Sequence, residues 1–103
     1  MNFKNFTPHS IKLNDGRIFE SEGLARVSTT FTEIENDIAH QVFGEVTGLP
    51  EPEEGTMLIV SALVLGASTR EDLVAPATGH KDTIRNDKGH IMSVPCFTKI
   101  KRS

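Results

Sequence analysis

Hydrophobic and polar residues alternate in short segments near both ends of the chain. The first alternation spans residues 10–20 around an Asn-Asp-Gly sequence at 14–16, and the last spans residues 81–97 around a turn-like sequence at 86–89. A period of two is typical of half-buried strands, and Asn and Gly adopt the backbone conformations that tight turns require. The pattern predicts a β-hairpin near each end.

A longer alternation over residues 24–33 is rich in β-branched residues and predicts a central strand. We predict a turn at 35–37 and a second strand over 39–47, in which Gly44 marks a bulge or a close backbone approach. Arg26 lies on the face opposite to the predicted core face of the first strand. That core face carries Ala25, Val27, Thr29 and Phe31.

The longest apolar run spans residues 56–68 and changes character at Ser61. Residues 57–60 predict a buried strand, Ser61 is a favourable N-cap, and residues 62–67 predict a short helix. A strand that leads directly into a helix directs free backbone N–H groups beyond the strand end. This arrangement favours an anion and makes Ser61 a candidate ligand-binding residue.

These elements predict one small α+β domain over residues 1–103, with six or seven strands and one short helix. The sheet is expected to be mainly antiparallel and bent, or a partly open barrel around the helix. Because exposed strand edges invite pairing, we also expect a homo-oligomer, most simply a dimer. The predicted core comprises Ile11, Ile18, Val27, Val42, Val46, Leu58, Val60, Leu63, Val64 and Val94.

Composition narrows the classes of function. The net charge of −3 makes a nucleic-acid partner unlikely, and no segment approaches the length of a membrane span. Cys96 is the only cysteine, so no disulfide forms within the chain, and the start of the chain has no apolar signal core. These features predict a cytoplasmic protein. The basic segment at 99–103 is expected to be a solvated tail rather than a binding arm.

Three arginines could complete an anion site with Ser61, because a planar guanidinium binds phosphate or carboxylate with two hydrogen bonds. They are Arg26 in the middle of a predicted strand, Arg70 after the helix and Arg85 before a turn. Phe43 could stack on a base. The alternative is that the arginines form surface ion pairs and that Phe43 belongs to the core.

The sequence predicts no catalytic site, no metal and no cofactor. Its histidines, at 9, 40, 80 and 90, lack the spacings that place two ligands on one face of a helix or strand. Ser61 has no Gly-x-Ser-x-Gly surround, so a triad with a histidine and Asp72 is less favoured than an N-cap role. Gly-rich nucleotide-binding loops are also missing from the sequence.

Several segments together resemble a family of small, mostly uncharacterised proteins from bacteriophages and bacteria, especially actinobacteria. The matching segments are Thr-Pro-His at 7–9, Ala-Arg-Val at 25–27, Phe-Gly-Glu-Val-Thr-Gly-Leu-Pro-Glu-Pro at 43–52, Gly-Thr-Met-Leu-Ile-Val-Ser at 55–61, Arg-Glu-Asp-Leu-Val-Ala-Pro at 70–76 and Ile-Arg-Asn-Asp at 84–87. The resemblance implies a phage-type accessory protein of the host cytoplasm. It carries over no catalytic residue.

We therefore expect a non-catalytic protein that sequesters a small phosphorylated or nucleotide-like ligand, with an anti-defence role in a phage setting. The alternative is a protein–protein inhibitor or structural accessory protein that uses its sheet edges. A small hydrolase that uses a histidine and a carboxylate is the third and less favoured alternative. A bound ligand would raise the melting temperature, which separates the first expectation from the second.

Overall fold

The computed structural model describes residues 1–100, which form ten strands and one helix. The predicted basic tail at 99–103 lies mostly outside these residues. The elements are β1 (Asn2–Asn5), β2 (Ile11–Lys12), β3 (Ile18–Phe19), β4 (Arg26–Phe31), β5 (Gln41–Thr47), β6 (Thr56–Ile59), α1 (Ala62–Ala67), β7 (Leu73–Pro76), β8 (Ile84–Arg85), β9 (Ile91–Ser93) and β10 (Phe97–Thr98).

A four-stranded sheet in the order β1-β6-β7-β10 forms the centre of the molecule. β1, β6 and β7 run parallel to one another, and β10 pairs antiparallel with β7. The helix α1 connects β6 to β7, because two adjacent parallel strands require a crossover between them. The carboxyl ends of the three parallel strands therefore meet at one edge of the sheet.

Three two-stranded antiparallel hairpins surround this sheet, β2–β3, β4–β5 and β8–β9. The turns of the first and the last lie where the sequence predicted them, with Gly16 and Gly89 at φ of +99° and +80°. Antiparallel pairings predominate, and the sheets do not close into a barrel. The predicted α+β class, with mainly antiparallel strand pairings and one short helix, is confirmed, although the central sheet itself is mainly parallel.

The core lies between the central sheet, α1 and the base of the β4–β5 hairpin. Leu58, Val60 and Val64 are buried there together with Leu73, and Val27 and Val46 pack against them while half-buried. Val94, also predicted to be buried, lies elsewhere in the interior. Ile11 is half-buried.

Four residues predicted to face the core are exposed. Ile18 lies on the two-stranded β2–β3 sheet, and Leu63 lies on the outer side of α1. Phe31 and Val42 lie on the β4–β5 hairpin beyond the point where the body of the molecule supports it. The periodicity did not give the buried side of α1, and it could not show that the bulge turns Val42 to the face opposite to Val46. For Ile18 and Phe31 it did not show how far the covering neighbours extend.

The β4–β5 hairpin is bulged and projects from the body. The register shifts between Val27 and Thr29, opposite Gly44, and a Cβ atom at Gly44 would lie 2.3 Å from the Ser28 hydroxyl. The predicted bulge and close approach at Gly44 are thus confirmed. The radius of gyration is 15.4 Å, compared with about 13 Å for a compact chain of this length, so the molecule is less compact than a typical domain of its size.

Candidate functional site

A cavity of about 470 Å³ lies beyond the carboxyl ends of the three parallel strands. The segment that follows β1 forms one wall. The start of α1, which follows β6, forms a second wall, and the third wall consists of strand β9 and the segment that follows β7. We call it the Ser61 cavity. Its lining residues are Thr7, Pro8, His9, Ser10, Ile11, Lys12, Ser61, Ala62, Pro76, Thr78, Ile91, Met92, Ser93 and Val94.

A fully buried asparagine holds the wall that follows β1. The Asn5 amide donates to the backbone carbonyls of His9 and Phe19, at 2.7 and 2.9 Å. Its carbonyl oxygen accepts from the backbone N–H and the hydroxyl of Thr7, at 2.9 and 2.7 Å. Two donors and two acceptor positions are thereby satisfied, so Asn5 fixes the loop that lines the cavity.

Ser61 lies at the opposite wall, as the N-cap of α1. Its backbone is extended, with φ of −68° and ψ of 159°, and its hydroxyl accepts from the Val64 backbone N–H at 3.3 Å. The predicted N-cap and helix are therefore confirmed. The Ser61 side chain is exposed at the cavity rather than packed in the core.

The chemistry of the cavity is apolar with a cationic edge. Ile11, Ile91 and Met92 are apolar lining residues, and Lys12 is a cationic one. His9 adds an imidazole, and none of the lining residues within 1–100 is a carboxylate. This lining suits a ligand that has an apolar body and an anionic group.

The structure does not bring the predicted arginines and Phe43 together with Ser61. Arg26 is exposed on β4, and Phe43 is 43% exposed on the projecting hairpin. Arg70 lines a different cavity, of about 250 Å³. Arg85 comes nearest, because its guanidinium donates to the carbonyl of Thr78, a lining residue, at 3.2 Å and to that of Gly89 at 3.1 Å. A role of these four residues in binding stays a prediction.

Arg70 instead forms a two-hydrogen-bond ion pair with Asp72, just before β7. The Nε and Nη2 atoms of Arg70 lie 2.9 and 2.7 Å from the two carboxylate oxygens. The hydrogen bonds from Arg70 hold the pKa of the Asp72 carboxyl below its ordinary value of 3.8, although partial burial acts in the opposite direction. The pair therefore stabilises the entry to β7.

Replacing Asp72 with asparagine is expected to lower the free energy of unfolding by about 1–2 kcal/mol near neutral pH. Because the pKa is lower in the folded state, this contribution is present above pH 3.8 and is lost as the pH falls through the folded-state pKa. Urea unfolding of wild type and Asp72→Asn across this range measures it. Asp87→Asn, in an exposed turn, is the control and should have little effect. A difference between wild type and Asp72→Asn that persists unchanged in strong acid would contradict the assignment.

A second concavity, of about 570 Å³, lies at the tip of the β4–β5 hairpin. Glu33 and Glu35 line it, so it disfavours the anion that the Ser61 cavity favours. Elsewhere in residues 1–100, no group of three His, Cys, Asp or Glu side chains is placed to hold a metal ion. We take the Ser61 cavity as the candidate site because it lies beyond the ends of the parallel strands and its lining includes the predicted Ser61.

Lys12, His9 and the residues of β9 were not predicted from the sequence to belong to a binding site. The reason is that β1 and β7, the strands whose ends define the cavity, were not predicted. Comparison of the chain with protein-family models, curated proteins and solved structures gave no match. The helix within residues 1–100 is too short to cross a membrane.

Proposed function

We propose that the chain is a non-catalytic binding protein that holds a small phosphorylated or nucleotide-like ligand in the Ser61 cavity. The position of the cavity carries the proposal. In open sheets with parallel strands, ligands bind outside the carboxyl ends of the strands. Here β1, β6 and β7 all end at the cavity. Its volume of about 470 Å³ lies in the range typical of small-molecule sites.

The lining residues suit a ligand with two parts, an anionic group and an apolar body. The Lys12 ammonium, the His9 imidazole and the Ser61 hydroxyl can meet an anionic group, for which charge-assisted hydrogen bonds are the strongest available. Ile91 and Met92 offer apolar surface to a sugar or a base. The absence of a lining carboxylate within residues 1–100 removes a source of repulsion.

The Ser61 hydroxyl accepts a hydrogen bond from the Val64 backbone N–H and so caps α1. This structural role supports binding without catalysis. A protein that removes a signalling molecule needs affinity rather than a general base. The resemblance to phage proteins supports an accessory role in the host cytoplasm, in which the chain lowers the free concentration of a host defence signal. In this proposal, the single domain over residues 1–103 binds the ligand.

Calorimetric titration tests the proposal with nucleoside monophosphates, the matching nucleosides and inorganic phosphate, followed by chromatography of the recovered ligand. We expect the monophosphates to bind more tightly than either partial ligand, to bind more weakly as the salt concentration rises, and to be recovered unchanged. Recovery of a hydrolysed product would favour the hydrolase. Failure of all three ligand classes to bind would favour the protein–protein accessory role.

Replacing Lys12 with alanine is expected to weaken monophosphate binding by about tenfold or more, since a charge-assisted hydrogen bond contributes about 1.5–3 kcal/mol. The melting temperature without ligand should change little, because Lys12 is exposed. Arg17→Ala is the matched control, because it removes an exposed cation that does not line the cavity. Equal losses of affinity in the two variants would indicate a general charge effect and contradict the placement of the ligand.

A further inference from the structure

The outer half of the β4–β5 hairpin presents an apolar face that no other part of residues 1–100 covers. Side chains two residues apart on a strand share a face, and so do direct cross-strand partners. Thr29 pairs with Phe43, so Phe31 and Phe43 continue the face that Val27 turns to the core. Phe31 is 68% exposed, and Ile34 near the tip is 76% exposed. An isolated two-stranded hairpin is only marginally stable in water, so a covering surface would stabilise it.

Beyond Arg26, every charged side chain of the same hairpin is a carboxylate if histidine is counted as neutral. No Lys or Arg occurs between residues 27 and 69, and all eleven of these cations lie in the remainder of the chain. The hairpin beyond Arg26 carries Glu33, Glu35, Asp37 and Glu45. Its tip is a tight turn at Asn36 and Asp37, both with positive φ. The surface that fits this hairpin is therefore apolar and flanked by cations.

The β8–β9 hairpin of the same chain carries both exposed apolar side chains and cations. Ile84, Ile91 and Met92 are exposed on it, at 50%, 42% and 57%. Lys81 precedes β8 and Lys88 lies in its exposed turn. Asp82 and Asp87 belong to the same segment, but Arg85 and the neighbouring Lys12 keep the net charge of this surface positive. Lys12 lies beside the end of β9, because its backbone carbonyl accepts a hydrogen bond from the Val94 N–H at 3.0 Å.

We propose that the β4–β5 hairpin of one copy of the chain docks on the β8–β9 hairpin of a second copy. The contact is reciprocal, so that two identical docking surfaces close a two-fold dimer. The alternative, in which the two β4–β5 hairpins meet face to face, brings four carboxylates of each copy together and is disfavoured by their repulsion. Because Lys12, Ile91 and Met92 also line the Ser61 cavity, the docked hairpin would cover part of that cavity, and the dimer is expected to compete with the proposed ligand.

A charge-swap experiment tests the dimer by analytical ultracentrifugation over a range of micromolar concentrations, without any nucleotide. One variant carries Glu33→Lys and Glu35→Lys, and a second carries Lys81→Glu and Lys88→Glu. Each brings like charges together in its own homodimer, so its dimer dissociation constant should rise at least about tenfold. In an equimolar mixture both contacts pair opposite charges again, so the mixture should form the dimer.

A third variant, Glu51→Lys with Glu54→Lys, changes the charge equally outside the β4–β5 hairpin and should dimerise as wild type does. All the substituted side chains are exposed, and circular dichroism checks that each variant is folded. A variant that combines all four swaps should also recover the homodimer. The proposal is overturned by a monomeric wild type at every concentration, by a dimer that withstands either swap, or by a mixture that stays monomeric.

Discussion

Replacing Leu58 with alanine is expected to lower the free energy of unfolding by about 2–5 kcal/mol. Leu58 is 2% exposed and lies in β6, at the centre of the four-stranded sheet, where it contributes to the core with Val64 and Leu73. The lost side chain leaves a cavity that a sheet paired on both sides cannot readily close. This loss is a large part of the total stability expected of a domain of this size.

Leu63→Ala is the matched control, because Leu63 is 49% exposed on the outer side of α1. It should cost less than about 1 kcal/mol. Urea unfolding followed by far-ultraviolet circular dichroism is the suitable measurement, because the chain has no Trp or Tyr to report by fluorescence. Equal costs at the two positions would contradict the position assigned to the core.

Replacing Asn5 with alanine is expected to cost about 2–4 kcal/mol, and its effect extends to the candidate site. The change removes all four hydrogen bonds of a side chain with no exposed surface, and it leaves the carbonyls of His9 and Phe19 without these donors. Because those bonds hold the wall that follows β1, the nucleoside monophosphate should also bind more weakly to the fraction that remains folded.

Asn2→Ala removes an asparagine from the same strand, but Asn2 is exposed and its backbone bond to Gly55 is retained. It should change stability by less than about 0.5 kcal/mol and leave binding unaltered. Chemical unfolding and calorimetric titration measure the two effects. An Asn5→Ala protein that is as stable as wild type would contradict the structural role of the buried amide.

The local elements could be predicted because their signals are local. The turns at Gly16 and Gly89 and the cap at Ser61 each depend on a few adjacent residues whose conformational preferences decide the outcome. The long alternation correctly predicted β4, and Gly44 correctly marked the irregular pairing with β5. None of these features required knowledge of distant contacts.

The central sheet was harder to predict because its strands are short and depend on pairing partners far along the chain. β1 contains two asparagines, which are depleted in strands, and β7 is a four-residue apolar run that ends in proline. A short apolar run does not distinguish a buried strand from a buried helical segment. The cavity could not be located without these two strands, so His9, in the loop after β1, and Lys12, on β2, were not recognised as lining residues.

The candidate site was predicted in part. The strand-to-helix step at Ser61 identified one wall, but periodicity gives only the face of a side chain within its own element. Which elements converge is decided by tertiary pairing, and this is why Arg26 and Arg70 do not line the Ser61 cavity. For the same reason, Phe31 was assigned to a core that does not extend to it.

Amide NMR spectra recorded during titration with a nucleoside monophosphate test the central claim most directly, because they locate the ligand residue by residue. We expect saturable shifts for residues 7–12, for Ser61 and Ala62, and for residues 91–94, which line the cavity. Shifts absent from these residues at saturating ligand, or confined to the tip of the β4–β5 hairpin, would contradict it.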